Sequence, residues 1–168
     1  MNLVTALAIV IGLLGALLTW LVLGPVLGGL GLSLWAAFIA WGSFFHCGGG
    51  EAGLQKSLFA GIWGALMATL AFALIPALGG LGGLAAPVAV GLTVAAMIFG
   101  AHVPALSAIP AAVYGYASTA GFAMMKSGAV WNGMDLASGP FLNIVASMVL
   151  GAIFGYISEK FATALTSK

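Results

Sequence analysis

Few side chains in this sequence are equipped for chemistry. The 168 residues contain two histidines, one cysteine, three acidic residues, four lysines and no arginine. His46 and Cys47 are neighbours in the chain, and successive residues of a helix point roughly 100° apart, so the pair makes a poor metal chelate. A lone cysteine permits neither an internal disulfide nor a multi-cysteine metal centre. There is no Ser/His/Asp set, no pair of carboxylates and no zinc-ligand spacing, so neither catalysis nor a cofactor is expected. Lacking arginine, the chain lacks the usual bidentate clamp for phosphate, which disfavours large phosphorylated substrates. A net charge of +1 argues against nucleic acid as a partner.

What remains is a set of hydroxyl, amide and aromatic groups. Ser43 and Ser118, with Trp41, Tyr114, Tyr116 and Thr119 beside them, would suit a small, uncharged, hydrogen-bonding solute. Each serine can instead bond the carbonyl of its own helix four residues back. Asn143 heads the series Asn143, Ser147, Gly151 and Gly155, and Ala60, Gly64 and Ala68 form a similar stripe earlier in the chain. Spacings of three and four place each series on one helix face. Two roles fit such stripes, close helix packing in lipid and the flank of a narrow path. An amide such as that of Asn143 must find a partner or a water in either case.

His46 precedes Gly48-Gly49-Gly50. Three glycines permit a tight turn between two helices, or a discontinuous segment at membrane depth if protein or a wet cavity covers it. His46 reads either as an interfacial residue partnered by Glu51 or water, or as a pH-sensitive gate. His102, just before Pro104, reads as interfacial.

The elements that position these groups must lie in a bilayer. The chain is 63% hydrophobic and 4% charged, with a mean hydropathy of +1.24, against about 25% charged in an ordinary soluble domain. No charged residue precedes Glu51, none lies between Lys56 and Lys126, and none lies between Asp135 and Glu159. A crossing needs about 20 apolar residues. Gly and Pro clusters divide the chain into segments at roughly 2–24, 33–47, 54–78, 84–100, 105–125 and 140–165, with the second one short. The first segment lacks a basic head and a small-x-small cleavage site near Leu23 to Pro25, so it is expected to be a retained helix and not a signal peptide. Lys56, Lys160 and Lys168 fall on one side and Lys126 on the other, which predicts both termini in the cytoplasm.

The sequence also repeats. Trp35-Ala-Ala-Phe-Ile-Ala-Trp-Gly-Ser43 aligns without a gap on Pro110-Ala-Ala-Val-Tyr-Gly-Tyr-Ala-Ser118, and Trp63-Gly64-Ala65-Leu66 falls on Leu150-Gly151-Ala152-Ile153. Residues 1–80 and 81–168 then form two copies of three crossings within a single membrane domain, and an odd number of crossings forces the copies to be inverted. Secondary transporters use this plan, with the solute site near the midplane where the copies meet. The fold expected is an all-α integral membrane protein of six transmembrane helices, a 3+3 inverted repeat with a short or discontinuous second helix.

The run Trp35 to Gly50, the stretch Leu106 to Thr119 and Gly151-Ala-Ile-Phe-Gly-Tyr156 resemble a bacterial inner-membrane family, the domain of unknown function 1097. The resemblance covers essentially the whole chain. It implies a small inner-membrane protein of five or six helices and carries no assigned catalytic or binding residues.

Ion and proton pathways normally place ionisable groups within the crossings, and these crossings have none at their centres. The function expected is therefore a passive channel or facilitator for a small neutral solute of the urea, ammonia, short amide, carbon dioxide or water class. Its lining would draw on Trp41, Ser43, His46, Gly64, Tyr114, Ser118, Thr119, Asn143 and Gly151. A structural or interaction subunit of a membrane complex and an ion-coupled transporter are the alternatives, separated by whether a polar path exists. With bulky Trp20, Phe38, Phe59, Phe72 and Phe99 available for outer contacts, a homo-oligomer, a trimer or larger, is expected beside the lipid partners.

Overall fold

The computed structural model describes residues 1–126 and 135–166, and these are helical, without any strand. Lys168, which entered the orientation argument, lies outside the described residues, as does part of the Lys126 to Pro140 connection. The helices are α1 (Leu3–Leu23), α2 (Leu34–His46), α3 (Gly50–Ala77), α4 (Ala85–Phe99), α5 (Ile109–Met125) and α6 (Pro140–Thr166). Asn2 caps α1, its side-chain oxygen accepting from the Thr5 amide at 2.8 Å. Short 3-10 turns fill the glycine- and proline-rich joints at Gly28–Leu30, Gly79–Leu84, Gly100–His102 and Pro104–Leu106.

Four stretches are long and apolar enough to cross a membrane: α1, α3, α6, and α4 with its flanking turns from Gly79 to His102. The chain is a membrane protein by this measure. The second helix is short, as its sequence predicts: its 13 residues reach about 20 Å at 1.5 Å each, against a hydrocarbon core of about 30 Å.

The 48–50 glycines make a tight turn between α2 and α3. All three have positive φ, +93°, +69° and +63°, a region side chains disfavour, and α3 starts at Gly50 itself, earlier than the sequence breaks suggest.

Core and periphery separate clearly. In the apolar windows of α3 and α6, 44% and 50% of residues are buried, against 22% in α1 and in the α4 stretch. α1 leans on α6 through Ala6, Val10 and Ala162, and α4 leans on α3, where Met67 and Met97 share a cluster and the Trp63 indole donates to the Met97 carbonyl at 3.1 Å. Trp20, Phe38, Phe59 and Phe99 are exposed, and Phe72 is half-buried.

A candidate site in the groove between two short helices

Helices α2 and α5 lie side by side and leave a groove of about 520 Å³, lined by Trp35, Phe38, Ile39, Gly42, Ser43, Tyr114, Ala117 and Ser118. The depth comes from small residues: a methyl group on Gly42 would meet nothing within 4 Å. Trp35, Phe38 and Ile39 are each more than a third exposed, so the groove opens sideways. Among the described residues, no carboxylate or ammonium group lines it.

The two serines expected in the site are both there, in different states. Ser43 accepts a hydrogen bond from the Ser57 hydroxyl at 2.8 Å. Ser118, only 3% exposed, has no partner for its hydroxyl among the described residues, and neither has Thr119 behind it at 1%. A buried hydroxyl without a partner is costly, so this end of the groove is unfinished in polar terms.

Tyr114 contributes its ring to the groove, and its hydroxyl lies 2.9 Å from Nδ1 of His46. His46 belongs in turn to a second cavity of about 370 Å³ at the ends of these helices, with Cys47, Gly48, Lys56, Ser107, Ala108 and Pro110. The partner of His46 is thus Tyr114, and Glu51 plays no part. Trp41 is buried behind the groove, stacked on Phe38 at 5.8 Å between ring centroids, and its indole donates to the Ser158 hydroxyl at 3.0 Å.

The remaining candidates stand apart. Asn143 is fully buried and fully bonded: its amide nitrogen donates to the carbonyls of Gly31 at 2.7 Å and Leu136 at 2.9 Å, and its oxygen accepts from the Ser33 hydroxyl at 2.6 Å. Ser147 accepts from the Ser33 amide at 2.9 Å. Asn143 therefore clamps the start of α2 to α6. Gly64 and Gly151 sit in close contacts between helices. A methyl group on Gly64 would collide with the Ala112 carbonyl oxygen, and one on Gly151 with that of Ala37.

Sequence reasoning misses Ser57, Ser33 and Glu159. The Glu159 carboxylate accepts from the Gly50 amide at 2.8 Å and occupies the space where a Gly49 side chain would stand, so α6 caps the first turn of α3. The charge of Glu159 near the end of an apolar helix is the one visible signal, and nothing in the sequence pairs it with the glycines.

No curated protein and no solved structure matches the chain. The profile of the family described as Protein of unknown function (DUF1097) matches residues 8–163, nearly its whole length, and the chain belongs to that family.

Proposed function

We propose that this protein is a passive facilitator for a small neutral solute, and that the groove between α2 and α5 is where the solute binds. The observation that carries the reading is the unpartnered Ser118 hydroxyl in a groove with no charged lining. A purely structural subunit has no reason to keep a buried polar group unsatisfied, and an ion-coupled transporter would place ionisable groups along its path. From the groove, the Tyr114 to His46 hydrogen bond leads to the end cavity, which marks the direction of passage.

Six crossings in two inverted copies accompany this proposal. In the register that sets Ser43 on Ser118, Ile39 falls on Tyr114 and Gly42 on Ala117, so three pairs of related residues line one groove. In the register that sets Gly64 on Gly151, the contact of Gly64 with Ala112 becomes that of Gly151 with Ala37, and Gly61 and Met148, which touch, exchange places. A pseudo-twofold axis through the groove and the α3–α6 crossing accounts for all of these, and transporter sites sit on such axes. Lys56 and Lys160 at one end against Lys126 at the other favour cytoplasmic termini. The inner membrane of a bacterium and a homo-oligomer, a trimer or larger, complete the proposal.

Proteoliposomes test it. Stopped-flow light scattering should show a short amide such as acetamide equilibrating faster than in empty vesicles, while sodium and protons stay out. Flux that demands an ion gradient, or ionic current through the purified protein, overturns it.

A further inference from the structure

We infer that the groove takes neutral molecules with an apolar body and a single hydrogen-bonding group, that they reach it sideways from the lipid, and that the Ser118 hydroxyl is their polar contact. The inference rests on the facilitator reading for what an occupied groove accomplishes, but the site itself is argued from its own geometry.

The two halves of the groove differ in polarity. Ser43 is engaged by Ser57, whereas the residue that the repeat register places opposite Ser118 in the role of Ser57 is Ile144, fully buried and without a polar atom. The second half of the chain thus lacks the internal partner that the first half has, and the Ser118 oxygen, buried just beneath the floor, is left to turn towards an occupant. The other walls are Trp35, Phe38, Ile39, Gly42 and Ala117, with the ring of Tyr114. Of the polar groups in the lining, the Tyr114 hydroxyl is taken by His46 and the Ser43 hydroxyl by Ser57, while the Trp35 indole stands at the exposed rim.

Size and charge narrow the class. At about 520 Å³ the groove is an order of magnitude larger than the roughly 30 Å³ of one water and matches the roughly 300–1,000 Å³ of pockets that hold organic ligands. A charged group would enter an apolar, uncharged lining without a counterion. Because Trp35, Phe38 and Ile39 form an exposed rim on α2, the opening faces the side of the bundle, where a lipid-soluble molecule is already concentrated.

The probe is a diazirine-bearing octanol, with the corresponding diazirine alkane as its control, photolysed on the purified full chain in lipid nanodiscs and mapped by peptide mass spectrometry. The alcohol should label Trp35, Phe38 or Tyr114 in preference to the rest of the lipid-facing surface, exceed the alkane there by about fivefold, and be displaced by unlabelled octanol, the ratio that one hydrogen bond supplies. Ser118→Ala should remove the excess of alcohol over alkane, and Gly42→Leu should lower both. Equal labelling by alcohol and alkane, or an excess that survives Ser118→Ala in a variant with wild-type helix content, overturns the inference. The wild-type comparison decides the matter even if a variant misfolds. Labelling without solute flux sinks the facilitator reading alone, and flux without selective labelling sinks this inference alone.

Discussion

His46 Nδ1 and the Tyr114 hydroxyl lie 2.9 Å apart, and that bond ties the last residue of α2 to the flank of α5 between the groove and the end cavity. If it bars the passage, Tyr114→Phe and His46→Ala should each raise solute flux about fivefold, the equivalent of one net hydrogen bond. The double variant should gain no more than either single one. Independent, multiplying gains in stopped-flow rates would show that the two residues do not act through their shared bond.

Filling the groove should have the opposite effect. Gly42→Leu and Ala117→Leu place bulk where Gly42 meets nothing within 4 Å, so folding should survive and flux should fall to the level of empty vesicles. Undiminished flux from a folded Gly42→Leu protein places the passage elsewhere.

The glycines divide into two classes that a melting experiment distinguishes. Gly64→Ala and Gly151→Ala drive a methyl group into a facing carbonyl, an overpacking that costs about 1–3 kcal/mol. Gly91→Ala, with nothing nearby, should be neutral or gain about 0.5–1 kcal/mol from helix propensity. Similar midpoints for all three in detergent unfolding would contradict the close contacts.

Much of this arrangement is legible in the sequence because it is local. Helix boundaries follow Gly and Pro, the short α2 follows from the spacing of its breaks, and the stripes of Gly64 and Gly151 are visible through their period. Ser43 and Ser118 are recognisable as a pair because the proposed repeat aligns them. Long-range partnerships leave no such trace. Nothing in the order of residues says that Ser57 bonds Ser43, that Ser33 bonds Asn143, or that Glu159 seats itself on the Gly49–Gly50 turn. These are consequences of which helices meet. For the same reason the division between Gly64 as a wall and Gly64 as a contact is beyond a sequence, since both require a small residue at the same spacing.

Topology can be read directly. Reporter fusions after Gly80 and after Ser138 should report the same compartment, the periplasm, and a fusion after Gly48 the cytoplasm. Opposite answers at Gly80 and Ser138 would leave an odd number of crossings between them and break the two-copy plan.

Outside the bilayer, Asp135 accepts hydrogen bonds from the Ser138 hydroxyl and the Ala137 amide, which hold its carboxyl below the usual aspartate range, the Ser138 bond contributing most. A depressed value means that the turn before α6 is favoured at neutral pH and loses that support only as acid protonates the carboxylate. Ser138→Ala should move the carboxyl titration, followed by NMR, upward towards the ordinary range. No movement would remove the hydroxyl as its cause.

The seat of Glu159 on the α2–α3 turn has a consequence for how the chain is made. The ribosome delivers Gly50 long before Glu159, so the Gly50 amide waits at the start of α3 without its acceptor until α6 is synthesised. α1 waits likewise for Ala162 of α6. Helix α6 is therefore the keystone of assembly: a nascent chain stalled before it lacks both the acceptor of the Gly50 amide and the Ala162 contact of α1.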